Sequence, residues 1–182
     1  RRNCLFLSET ISMPSVELIK LLDRQHAKDD VVAFINKDNK NFKQAIALVQ
    51  STEQPYAWRA AWMLCHASKK QDKRILPYLL DIIKAIPYKK DGRQRELLKV
   101  VMKMEPLQED TEGYFFDVCT GLWEDVNKQP AVRYYAACYM LIMAAKYPDI
   151  KNELEVLFGE YYTQSLSPGI KRIFERKLTQ LN

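Results

Sequence analysis

Glycine is scarce. Five occur in 182 residues, and Gly92, Gly113, Gly121, Gly159 and Gly169 stand apart from one another, so no glycine-rich loop is available to cradle a phosphate. Histidine is scarcer still. His26 and His66 lie 40 positions apart, and the helical neighbours Cys65 and His66 diverge by about 100°, so neither histidine has a readable acid-base partner. Cys4, Cys65, Cys119 and Cys138 form no Cys-x-x-Cys pair and no histidine stands at metal spacing, which removes a zinc site and a dense disulfide framework. Reduced thiols in a cytoplasmic protein are the expectation. The longest uncharged run, Tyr134 to Ala145, falls short of the ~20 apolar residues that a membrane-spanning helix needs. The apolar segment Leu5-Phe6-Leu7 is too short for an ordinary signal peptide, and Met13 is the first methionine. Residues 1–12 are therefore set aside as a tail of unassigned origin. No catalytic residue, metal ligand or cofactor site is expected, and the adjacent carboxylates Glu109-Asp110 and Glu124-Asp125 read as solvated faces or caps.

What the chain does hold is leucine, alanine, lysine, glutamate and glutamine in abundance, a composition that favours helices. The net charge of +5 is modest, compatible with an acidic or nucleic-acid partner but far from that of a chromatin-type protein. Pro14 suits a first helical turn before Val16, Ile19 and Leu22. Asp29 and Asp30 are candidate caps for a second helix, which the polar cluster 36–39 ends. This pair, 13–38, predicts an end cap.

Beyond it, apolar positions recur at helical spacing in four hairpins, about 41–68, 73–104, 112–147 and 149–180. Pro55, Pro130 and Pro168 open second helices. Asp91, Thr111 and Asp149 are expected to cap others. Each second helix begins with a cation in its first turn: Arg59, Arg95, Arg133 and Lys171, spaced by 36, 38 and 38 residues. Two helices per period of this length predict a solenoid of stacked hairpins, all-α throughout, in a single domain over 13–182.

The stretch Pro130-Ala-Val-Arg133, with Ala136 three positions on, resembles the opening of the second helix of a HEAT repeat. Pro55 and Arg59 match it less closely, since Trp58 replaces the valine and Trp62 the small residue. The resemblance covers about 41–181 and implies a right-handed α-α superhelix; armadillo-like solenoids fit the same degenerate motif. It also implies that Arg59 and Arg133 pair with acidic or carbonyl groups of an adjoining turn, holding neighbouring repeats in register. The segments Trp58-Arg-Ala-Ala-Trp62 and Ser167-Pro-Gly-Ile-Lys171 are similar to those of small bacterial HEAT-like proteins without an established activity. Some of these carry an adenylosuccinate lyase name. That chemistry needs a Ser-rich loop and grouped histidines, and the chain has neither.

Charge is segregated by position. The second helices carry eleven Lys and Arg against three Asp and Glu, whereas the first helices carry five against nine. In HEAT-like folds the second helices line the concave side, so the resemblance implies a basic inner face. Arg59, Arg93, Arg95, Lys99, Arg133, Lys171 and Arg172 are its candidate binding cations, supported by Lys103, Arg176 and Lys177. Trp58 and Tyr134, next to the repeated arginines, are candidate stacking residues. Core packing is nevertheless the default for all six of Trp58, Trp62, Trp123, Tyr134, Tyr135 and Tyr139, which fall mostly at core spacing. The expected function is a non-catalytic scaffold that holds a protein or acidic peptide. The alternative is nucleic-acid binding akin to the HEAT-like DNA alkylation-repair glycosylases, although no position here matches their catalytic aspartate. Neither a membrane nor a small-molecule substrate is expected as a partner.

Overall fold

The computed structural model describes residues 16–23 and 27–179. Among the described residues there are eleven α-helices and no strand. Pro14 and His26, on which two sequence expectations rest, lie outside the described residues. The fold divides into two compact units, the first ending at Ala67 and the second beginning at Ser68.

The first unit contains α1 (Val16–Leu22), α2 (Lys28–Asn36), α3 (Asn39–Gln50) and α4 (Tyr56–Ala67). Leu18 and Leu22, Val31 and Ile35, and Phe42, Ile46 and Val49 repeat every three or four positions, and all are buried. They close on α4, where Ala57, Ala60 and Ala61 are fully buried. Small side chains there let α2 and α3 approach α4, against which both pack. Asp29 and Asp30 do not cap α2: they lie inside its first turn, and Ala27 stands at the cap with no side-chain bond. Their charges still suit the positive end of the helix. Asp38 provides a true cap, its Oδ1 accepting the Asn41 amide at 2.7 Å at the start of α3.

The second unit contains α5 (Leu79–Ala85), α6 (Asp91–Met102), α7 (Glu109–Glu124), α8 (Pro130–Lys146), α9 (Lys151–Leu157), α10 (Glu160–Thr163) and α11 (Pro168–Thr179). Pro77 and Pro87 lie in 3-10 turns on either side of α5, because proline supplies no amide for an α-helical ladder. The last hairpin is likewise interrupted: a 3-10 turn at Pro148–Ile150 precedes α9, and α10 follows Phe158 and Gly159. Asp91, Thr111 and Asp149 are not caps. Each sits within its helical turn, and Lys90, Gln108 and Tyr147 occupy the cap positions without side-chain bonds.

α6, α8 and α11 are neighbours, and α7 packs most extensively on α8. The core between them holds Leu97, Val101, Phe115, Cys119, Val132, Ala136 and Tyr139, all essentially inaccessible. At the far end Trp123, Phe158 and Phe174 form an aromatic cluster with ring centroids 5.1–5.5 Å apart. The Trp123 indole also donates to the Leu157 carbonyl at 2.7 Å, so its burial leaves no unsatisfied N–H.

Candidate functional site

Because α6, α8 and α11 lie side by side, side chains on their outer edges make one surface of the second unit. Lys99 of α6 places its Nζ 5.8 Å from the centroid of the Tyr135 ring of α8. Tyr135 meets Tyr134 edge to face at 5.3 Å. On the far side, Arg176 and Lys177 of α11 act electrostatically on Tyr134 and on Cys138. The order across the three helices is thus cation, two tyrosines, two cations. Both tyrosines are half-buried and Arg176 is exposed. Burial, together with the hydrogen bond shared with Cys138, pushes the Tyr134 hydroxyl up to about 12, against the opposing field of Arg176. Tyr134 is therefore a neutral donor and stacking surface at ordinary pH. Burial also pushes the Cys138 thiol up, which leaves it un-ionised and inert.

The candidate cations do not share one fate. Arg95 and Lys99 flank Glu96, a carboxylate only 1% exposed, which accepts Arg95 Nε at 2.8 Å and Lys99 Nζ at 2.6 Å. One buried charge therefore offsets half of this local positive charge. Lys103 donates to the Ser68 carbonyl at 2.9 Å. Arg93 is buried, and that burial pulls its guanidinium below the usual arginine range. Lys171 is half-buried and Arg172 exposed on α11.

Arg133 departs most from the expectation of an exposed binding cation, because it is fully buried. Its Nε donates to the Trp123 carbonyl at 2.9 Å, Nη1 to Ser165 Oγ at 2.6 Å and Nη2 to the Tyr162 carbonyl at 2.5 Å. The guanidinium also lies 4.6 Å from the centroid of the Trp123 ring. The first turn of α8 faces the turns that precede and follow it in the stack, so a cation there is consumed by backbone acceptors. Asp91 has a similar role, accepting Lys128 Nζ at 3.3 Å and the Gln129 amide at 3.0 Å just before α8.

In the first unit, Arg59 donates to the Leu22 carbonyl at 3.0 Å and lies 3.7 Å from Asp23. Beside it Trp58, 37% exposed, and half-buried Trp62 line a cleft of 330 Å³ with Leu21, Asp23 and Met63. Trp58 is thus a surface residue rather than a core one, while Trp123 and Tyr139 are fully buried. Sequence reasoning missed the neutralising action of Glu96. The signal was present in the Arg95, Glu96, Lys99 spacing, which puts Lys99 three positions beyond the acid on one helix face.

Among the described residues, no group of three His, Cys, Asp and Glu side chains is arranged to hold a metal ion, and no helix is long and apolar enough to cross a membrane. Cys65, Cys119 and Cys138 are buried and unbridged. The family model described as HEAT repeat domain matches residues 16–181 of the chain. No curated protein and no solved structure matches it.

Proposed function

The chain belongs to the HEAT-repeat family, and from that premise we propose that it is a binding scaffold holding an acidic segment of a partner protein on the tyrosine-and-cation surface of its second unit. HEAT repeats generally mediate protein interactions. The observation that carries the finer reading is the Tyr134–Tyr135 pair with Lys99 on one side and Arg176 on the other, and with Lys177 acting on the adjoining Cys138. Tyrosines supply rigid contact area at little entropic cost, and the flanking cations select carboxylates and steer their approach. A cytoplasmic setting belongs to the same proposal.

The test is a titration of the whole chain with a fluorescent Glu/Asp-rich peptide containing one tyrosine, beside a labelled DNA duplex and single strand, at low and physiological salt. The peptide is expected to bind at both salts. Replacing Arg176 and Lys177 together by glutamate should weaken it by roughly tenfold or more, the scale of about 1.4 kcal/mol. Binding of DNA alone with a steep salt slope would transfer the surface to nucleic acid. A peptide affinity untouched by the double reversal would sink the proposed surface.

A further inference from the structure

On α7, away from the tyrosines, a second site of opposite charge is present. The first turn of α7 carries Glu109, Asp110 and Glu112. Glu112 turns inward and is 3% exposed. There it accepts Lys146 Nζ at 2.8 and 2.6 Å and the Tyr147 hydroxyl at 2.6 Å, which fastens the end of α8 to the start of α7. The same Lys146 Nζ lies 5.0 Å from the Tyr147 ring centroid. The molecule's own ammonium group thus shows which chemistry this carboxylate and ring accept.

Next to this contact is a pocket of 250 Å³ lined by Glu109, Glu112, Gly113, Phe116, Met143 and Tyr147. Both Glu112 oxygens are already occupied. Glu109 is exposed at the rim and has no ion-pair partner among the described residues. The fold does not account for Gly113. It lies inside a sixteen-residue helix, where glycine costs about 1 kcal/mol relative to alanine, and a Cβ there would meet nothing within 4 Å. The missing side chain leaves the pocket open instead.

We infer that this pocket receives an arginine side chain presented by a partner polypeptide. The walls are aromatic, thioether and, at Ile150, aliphatic, and the only unpaired formal charge lining the pocket is negative. A lysine ammonium can approach a ring and a carboxylate, as Lys146 does, but a planar guanidinium can also lie flat on Phe116 or Tyr147 while it forks onto Glu109, and this favours arginine. This site is independent of the basic surface proposed above, and its probe has the opposite charge, so either reading can fail alone.

The experiment titrates the isotopically labelled whole chain with acetyl-Gly-Ala-Arg-Ala-Gly-amide and with the same peptide carrying neutral citrulline. The arginine peptide is expected to shift the amide resonances of Gly113, Phe116 and Tyr147 saturably, and the citrulline peptide to leave them in place. Glu109→Gln should weaken binding by about three- to tenfold. Gly113→Leu fills the pocket from a position with open space, and it should abolish the shifts while the helical circular dichroism is retained. Equal binding of the citrulline peptide, or full binding by G113L or E109Q, would overturn the inference.

Discussion

Arg59 and Arg133 occupy the same place in two copies of one motif, yet they do different amounts of structural work. Arg133 is fully buried and gives all three of its guanidinium nitrogens to acceptors on two different turns. Arg59, its side chain 17% exposed, gives one nitrogen to one carbonyl and stands 3.7 Å from a carboxylate that is itself 55% exposed. The difference follows from the residues nearby. Val132 and Ala136 let α8 sink fully into the second unit, whereas Trp58 and Trp62 occupy the equivalent positions in α4 and open a cleft beside the arginine. A motif cation therefore locks its neighbours only as tightly as the adjacent side chains allow. Where bulk intrudes, the same cation becomes part of a surface.

The largest effect is expected when this contrast is broken at Arg133. Arg133→Met keeps much of the side-chain volume but strands the carbonyls of Trp123 and Tyr162, and should cost about 3–5 kcal/mol. Arg59→Met should cost only about 1 kcal/mol, because its acceptors can turn to water. Urea unfolding of both variants checks this, through the midpoint at unchanged slope. Equal losses would show that the two arginines are equivalent after all.

Acid should affect the second unit in two opposing ways. The hydrogen bonds and charge of Arg74 hold the Asp72 carboxyl below its ordinary value, and for Glu112 the bonds from Lys146 and Tyr147 outweigh a burial that alone would push it up. Their stabilising contribution is present above the unfolded carboxylate range and is lost as pH falls through their lowered values. Glu105 has the opposite sign, since burial raises its carboxyl and the neutral form is favoured in the fold. Its contribution is complete below the unfolded value and is lost as pH rises through the raised one. Stability measured by thermal unfolding should therefore hold or rise from pH 7 into mild acid and fall below about pH 4. Glu105→Gln should remove the first part of that profile and leave the second. A monotonic decline from pH 7 in the parent chain would refute the assignment of signs.

Much of the contrast was legible in the sequence and some was not, for physical reasons. Pro130, Val132, Arg133 and Ala136 announced a helix start whose apolar and small positions are buried, and α8 begins at Pro130. The caps at Asp91, Thr111 and Asp149 were misplaced, because a polar residue one to three positions inside a helix looks in sequence just like one at its boundary. Helix-wide charge counting also overstated the basic layer. It assigned equal weight to buried Arg93 and Arg133, to Arg95 and Lys99 beside Glu96, and to exposed Arg172 and Arg176. Counting cannot see burial, and a single inward carboxylate changes what two cations offer. The pocket at Gly113 had no sequence signal, since it depends on where the end of α8 meets the start of α7.

The smallest expected effect sharpens the comparison from another side. All five glycines of the chain lie beyond Ala67, so only the second unit bears their backbone entropy. Gly121 is exposed in α7, two positions before the Trp123 carbonyl that Arg133 holds, and an added Cβ there would meet nothing within 4 Å. Since the position is helical, Gly121→Ala loses no required conformation and restricts the unfolded chain. It should stabilise by about 0.4–1 kcal/mol, read as a shift in urea midpoint at constant slope. The gain is expected to be small because the added methyl meets no neighbour and so contributes no packing, leaving only the restriction of the unfolded chain. A loss of stability would mean that the open space beside Gly121 is not open in solution.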